Sequence, residues 1–466
     1  MVQAIPNDSA WSWMVDQIPW FDCPDEQVLQ TYYFRWWVLR KHLRQTPTGW
    51  VITEFLPPVS HAGPYNTISC ALGHHLAEVR WLVDGRYGED TLRFWLRGHQ
   101  GGAQPHLRRY SQWLAAAVYE WYLVRGGMAQ TAAWLPDLIT DFEVWDREHR
   151  RPDGLYWQYD VRDGMEESIS GSRTERHVRV PLNAYMYGNA RALAALARWA
   201  GCEETAAAFD QRADQLQRLV LRRLWDASAG FFKTLRQDGT LADVRELAGY
   251  LPWRFGMVPA GCGYEVAWRQ LIDSDGFWAP AGLTTAERRH PRFRSHGVGR
   301  CEWDGAVWPF ATSQTLGALL RVLREGTTMP LTSEVFFDAF LTYTRSHRRG
   351  NQTWIGEYLD EVTGDWIHRG ERSKDYNHST YADLLITGVV GLIPREDSCV
   401  EVRPMIAEGV WDWFCLDGVP YRGRFLSIFW DRTGARYCRG PGFHLWVDGE
   451  VVARRDCLEV LIGPLP

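Results

Sequence analysis

No stretch of this 466-residue chain approaches about 18 uninterrupted apolar residues, so nothing in it reads as a membrane-spanning helix. An excess of positive charge is also missing: 51 Lys and Arg stand against 57 Asp and Glu, a net charge of −6, with no Lys/Arg-rich run. That composition lacks the electrostatic footprint of a nucleic-acid partner. The nine cysteines, at 23, 70, 202, 262, 301, 399, 415, 438 and 457, are odd in number, widely spaced and never arranged as C-x-x-C. Neither a disulfide framework nor a zinc site is signalled, and no metal or cofactor is expected. Met1 to Asp8 has no basic segment leading into an apolar run, so no signal peptide is visible and a reducing cytoplasm is the expected compartment. A leader already removed from this sequence stays open. A Gly-rich phosphate loop, a G-x-S-x-G elbow and H-E-x-x-H are all absent, which leaves nucleotide, esterase and metalloprotease chemistry without support. His74, His75 and His296 stand isolated and are expected to be structural.

Tryptophan, by contrast, is abundant: there are 26. Its flat apolar face with one donor on the rim suits the faces of pyranose rings as well as packing, and most of these rings are expected in the core. From about residue 26 to 392 apolar residues recur at helical spacing. Helices are expected over Gln27–Leu43, Ile68–Val83, Leu107–Val124, Ala129–Trp145, Leu182–Ala200, Cys202–Leu224, Gly263–Ile272, Thr312–Leu323, Thr332–Tyr343 and Thr380–Val390. Gly201 followed by Cys202-Glu203-Glu204 pairs a Gly stop with an acidic first turn, so two helices meet there in a tight hairpin. Ten or more helices with alternating short and long connections predict stacked hairpins closing into an (α/α) toroid, with no fixed-period sequence repeat. After Pro394 the pattern changes to short alternating runs between turn residues, with Asp448-Gly449 as a hairpin turn. A helical domain over 1–395 and a small antiparallel β-sandwich-like module over 396–466 follow.

Two carboxylate-bearing loops carry the chemistry. Asp163-Gly164-Met165-Glu166-Glu167-Ser168 follows Tyr156-Trp157 and precedes a helix beginning near Pro181. Trp354-Ile355-Gly356-Glu357-Tyr358-Leu359-Asp360-Glu361 ends on Thr363-Gly364. Glycosidic cleavage needs one carboxyl to protonate the leaving oxygen and another to activate water or attack the sugar. Glu166 and Glu357 are the candidates, each with a structural alternative, a helix cap or ion pair for the first and a solvated acidic loop for the second. Trp303-Asp304 and Trp308 form a possible sugar platform and hydroxyl acceptor, or a helix start with a core Asp. Tyr376, Asn377 and His378 either line the site or cap the helix at Thr380. Glu54 through His61 to Tyr65 has the mixed character of a cleft rim.

Taken together, these segments resemble the bacterial branch of glycoside hydrolase family 63 and its trehalase-like and mannosylglycerate-hydrolase-like relatives. The matching motifs are Asp163–Ser168, Asn183-Ala184-Tyr185-Met186-Tyr187, Trp303–Pro309 and Glu357–Gly364. The resemblance covers about 150–395 well and the first 150 residues loosely. It implies an (α/α)6 barrel and inversion of configuration, with the general acid at Glu166 and the general base at Glu357. The family's acid is Asp, and the Glu here leaves Asp163 and Glu167 as rivals. Tyr156, Trp157, Asp163, Trp303, Asp304, Trp308, Tyr376, Asn377 and His378 are expected to bind substrate. The expected activity is an exo-acting, inverting glycosidase on a small glycoside or oligosaccharide. A sugar epimerase or polysaccharide lyase using Tyr or His, and a non-catalytic sugar-binding protein, are the alternatives. Sugar, anomer and oligomeric state stay open.

Overall fold

Pro181 sits in the first turn of the Val180–Trp199 helix, where its missing N–H leaves no bond unmade. The helix stops at Gly201, whose φ of +72° suits a residue without Cβ. Cys202 N–H reaches back to the Ala197 carbonyl at 2.8 Å and Gly201 N–H to that of Arg198 at 3.0 Å. This closes the carbonyl end and launches Glu203–Arg223, so the hairpin expected there is observed. The computed structural model describes residues 3–297, 299–326, 331–367 and 370–466.

The two partners of that hairpin are buried differently. Val180–Trp199 is buried nearly all round, whereas Glu203–Arg223 buries only Ala206, Phe209, Ala213, Leu216 and Val220, one stripe at helical spacing. The same contrast separates Glu26–His42 and Pro309–Arg324 from the more exposed Leu135–His149 and Ser333–Ser346. Helices buried over most of their length form the interior, and one-striped helices pack over them. The chain is mainly helical with small antiparallel sheets.

Several expected helices are shorter than their apolar patterns. Ile68–Val83 reduces to Leu72–Val79, and Leu107–Val124 starts only at Leu114. Ala129–Trp145 splits into Met128–Thr131 and Leu135–His149, the second with Pro136 in its first turn. Gly263–Ile272 is a 3₁₀ segment, Tyr264–Gln270, and Thr380–Val390 is a short α-turn, Ala382–Leu384, running into a π-turn, Leu385–Val390. Ala10–Gln17 and Arg86–Arg97 are helices that the spacing did not reveal. In the second, Gly88 lies against Trp121, whose ring would be 2.2 Å from a Cβ there.

Beyond residue 398, Trp413–Tyr421, Arg424–Asp431, Gly442–Val447 and Glu450–Arg455 form an antiparallel sheet. Asp448 and Gly449, with φ of +48° and +86°, make the tight turn between the last two strands. The fifth strand comes from the other end of the chain: Trp20–Asp22 pairs with Cys415–Asp417. The sheet therefore takes a strand from the amino-terminal side of the 395/396 division. Its buried face, with Phe414, Ile428, Trp430 and Phe443, joins the same apolar cluster as Trp36, Trp81 and Trp121 of the helices. All nine cysteines are unpaired. No described helix is long and apolar enough to cross a membrane.

Candidate active site

Loops at the amino-terminal ends of the buried helices meet around a cavity of about 350 Å³. Cys70 leads into Leu72–Val79, Tyr110 into Leu114–Arg125, and Glu166 lies ahead of Val180–Trp199. Trp303 and Trp308 lead into Pro309–Arg324, and Glu357, Tyr376 and His378 precede Ala382–Leu384. Glu54 and Phe55 enter from the hairpin formed by Leu43–Thr46 and Gly49–Ile52.

The acid loop is shaped by Gly164, which is left-handed at φ +68° and packed so that a Cβ would lie 2.6 Å from Cys70 Sγ. That bend sends three acids in three directions. Glu166 lines the cavity, and burial lifts its carboxyl from 4.5 to about 7, with the charges of Glu357 and Asp160 acting the same way. Asp163 turns inward, fully buried, to accept from Arg179 Nε at 2.8 Å and the Ser111 hydroxyl at 2.6 Å. Glu167 turns outward to Arg173 at 2.8 Å and lies 3.6 Å from His296. Neither rival lines the cavity.

Glu357 is 5 % exposed and accepts from the Ser373 hydroxyl at 3.0 Å, with Arg372 at 3.8 Å. Reciprocal backbone bonds of 3.0 Å between Val307 and Leu359 tie its loop to the Trp303–Pro309 segment. The other acids of that loop are engaged. Asp360 accepts from the Val362 and Thr363 N–H groups, and Glu361 pairs with Arg294.

Glu166, Glu357, Trp303, Trp308, Tyr376 and His378 thus share one cavity, but five of the expected binding residues lie behind it. Tyr156 is a core ring whose hydroxyl donates to Asp146. Trp157 packs on His149 and Tyr159 with Arg176 above it at 4.4 Å. Asp163 anchors its loop as described. Asp304 is wholly buried and accepts from the His296 backbone N–H and Nδ1 at 3.0 and 2.8 Å, so it holds the 294–296 turn. Asn377 donates to the Thr53 carbonyl and lends its own carbonyl to His75. Residue type and loop position mark these groups, but their side chains face away from the cavity. Trp308 lines the cavity edge-on, because Trp303 stacks on one side at 4.4 Å and Tyr358 on the other at 4.6 Å. It therefore offers no open ring face as a sugar platform.

The structure adds groups with weak or no sequence signal. Glu54 begins the stretch with the character of a cleft rim, where its residue type alone gives no mark of a special role. It accepts a bond from the Tyr376 hydroxyl, and burial lifts its carboxyl to about 8. Arg109, Arg162 and Arg372 also line the cavity, and no spacing rule marks such arginines as site groups.

A second cavity of about 320 Å³ lies among the more carboxyl-terminal parts of the same helices. Its acids are spent in ion pairs: Asp383 with Arg80 at 2.6 Å and Glu120 with Arg254 at 2.9 Å. Of these two cavities, the first holds, among the described residues, a carboxyl with its titration raised to about 7 together with a second carboxyl, a set able to give one proton and take another. Among the described residues, no group of three or more His, Cys, Asp or Glu is placed to hold a metal ion.

A family model for the mannosylglycerate hydrolase MGH1-like glycoside hydrolase domain matches residues 64–379. A solved structure named "Sialidase" is 46% identical over 99% of this chain, with a TM-score of 0.97, and this chain spans 43% of its length. The GH63 mannosylglycerate hydrolase of Thermus thermophilus, solved with Tris and D-glycerate, is 18% identical over 77% of this chain and 100% of its own, with a TM-score of 0.57. A GH78 family rhamnosidase of Bacillus sp. GL1 is 16% identical over 90% of this chain and 40% of its own, with a TM-score of 0.62. At such identities these last two are similar in fold alone.

Proposed function

We propose, from the premise that this chain belongs to the mannosylglycerate hydrolase MGH1-like glycoside hydrolase family, that it hydrolyses a glycosidic bond with inversion of configuration. Glu166 protonates the leaving oxygen and Glu357 draws a proton from the attacking water. The observation that carries this reading is the meeting of the two carboxyls on one cavity, with Glu166 held protonated up to about pH 7. The alternation of buried and one-striped helices supports the reading of the helical part as an (α/α)6 barrel with its site at the helix amino-termini. A cavity of about 350 Å³ is small for a ligand pocket and suits an exo-acting enzyme on a small glycoside.

The mouth of the cavity is cationic. Arg109 and Arg162 are exposed and make no ion pair among the described residues, and Arg372 lies over the Phe55 ring at 4.9 Å. A glycoside carrying a carboxylate fits that charge, as does the D-glycerate with which the Thermus relative was solved. A lyase or epimerase with a tyrosine base is less well served, because the Tyr376 hydroxyl is committed to Glu54.

The test is a panel of neutral and carboxylated glycosides, with mass detection of added water and NMR of the first-formed anomer. An inverted product is expected, and a retained one overturns the role given to Glu357. Glu357→Gln should lose about 10²–10⁴-fold in kcat while still binding substrate. Near wild-type turnover would remove Glu357 from the role of base.

A further inference from the structure

Glu54 is a third carboxyl on the cavity that holds Glu166 and Glu357, and it lies before residues 64–379, the segment that matches the family. It is 6 % exposed. One of its oxygens accepts from the Tyr376 hydroxyl, and the other is shut from solvent with no hydrogen-bond partner. The groups around it come from five segments. Cys70, Tyr110 and Tyr376 are uncharged neighbours, Glu166 and Glu357 are like-charged ones, and Arg372, stacked over Phe55, is the nearby cation. No ion pair reaches Glu54 among the described residues. An ionised carboxylate here would be a buried charge with one oxygen unsatisfied, facing two further carboxyls. A neutral acid fits, its carbonyl oxygen accepting from Tyr376 and its hydroxyl oxygen being the enclosed one.

The carboxyl also sits where two straps are laced together. Asn377 N–H donates to the Glu54 carbonyl at 3.0 Å, and the Asn377 amide donates to the Thr53 carbonyl at 3.2 Å. Tyr376 meets Phe55 edge-on at 4.5 Å and His378 at 4.1 Å. A charge appearing between these straps would tighten the bond from the Tyr376 hydroxyl and repel Glu357, shifting the loop that carries it.

We propose that Glu54 is a neutral third acid of this site, a positioning residue that locks Tyr376 and the wall beside Glu357, and that its ionisation closes the site at alkaline pH. Burial, with help from the charges of Glu357 and Glu166, lifts this carboxyl from 4.5 to about 8. The unfolded chain loses the proton near 4.5 and the folded one only near 8, so Glu54 costs stability increasingly as pH rises between those values. The activity arm of the test rests on the proposed catalytic reading of this cavity. The spectroscopic and stability arms do not.

The free enzyme and Glu54→Gln are compared from about pH 4.5 to 9. Infrared difference spectra should show one protonated-carboxyl carbonyl band vanishing near pH 8 in the wild type and missing from the variant. The variant's melting temperature should match the wild type at about pH 4.5 and rise above it progressively toward pH 8. On the glycoside found by the panel, the variant should keep kcat within about threefold below pH 7. The wild-type alkaline limb of kcat/KM should steepen from a one-proton to a two-proton fall above about pH 8, and Glu54→Gln should fall as one proton throughout. A pH-independent difference in melting temperature, or an unchanged limb, overturns the proposal. So does a loss of more than about 100-fold at every pH, which would place Glu54 in the proton transfer itself. Failure of the catalytic reading shows separately, as turnover retained in Glu357→Gln.

Discussion

Replacing Glu166 with Gln should stabilise the folded protein at neutral pH while removing turnover. The unfolded chain releases this proton near 4.5, whereas the folded one holds it to about 7 because burial disfavours the charge. Between those values the folded state binds more proton than the unfolded one, so stability declines as pH rises and levels off above about 7. The interval corresponds to about 3 kcal/mol. The Glu166 side chain is not wholly enclosed, so roughly half of that, on the order of 1.5 kcal/mol, should survive screening. An amide carries no such cost, and the gain in melting temperature for a chain of this size is on the order of 2 °C. Urea melts of wild type and Glu166→Gln at about pH 4.5 and 7.5 would show the variant ahead only at the higher pH, with activity lost at both. A variant less stable at pH 7.5, as expected for a carboxylate in a structural ion pair, would refute the reasoning. So would an equal gain at both pH values.

Asp163→Ala should be strongly destabilising, because Arg179 would be left as a buried cation without its partner at 2.8 Å. A loss of about 3–5 kcal/mol in a urea melt is expected, and a change below about 1 kcal/mol would show that the pair does not anchor the loop. Trp308→Ala should lower stability by about 3–5 kcal/mol, since both ring faces are packed. Weakened sugar binding with an unchanged melting temperature would return Trp308 to the role of a sugar platform.

Much of the frame was legible along the chain. The helices over Glu26–His42, Val180–Trp199 and Glu203–Arg223 follow their apolar spacing, and the turn at Gly201 follows from a residue tolerant of left-handed backbone. These are local matters, decided by periodicity and by φ. The two acid loops were also legible, because Gly-flanked carboxylates among aromatics are local patterns too. The helix at Arg86–Arg97 was hidden by its arginines and by Gly88, whose place is explained only by the Trp121 ring lying against it. The pairing of Trp20–Asp22 with Cys415–Asp417 joins opposite ends of the chain, and no local pattern encodes such a partner.

The sequence by itself determined that Gly-flanked, carboxylate-bearing loops stand between helices, and it offered Glu166 and Glu357 as candidates. Only the tertiary structure decided which neighbours share their cavity. Asp163, Glu166 and Glu167 are close in the chain and of one chemical kind, yet one meets Arg179 in the core, one meets the cavity and one meets Arg173 outside. Tyr156 and Asp304 turn away from the site for the same reason, and Glu54 joins it from a distant, earlier part of the chain. Residue type states what a group can do. Its burial, its charge state and the direction it faces depend on what the rest of the chain packs around it.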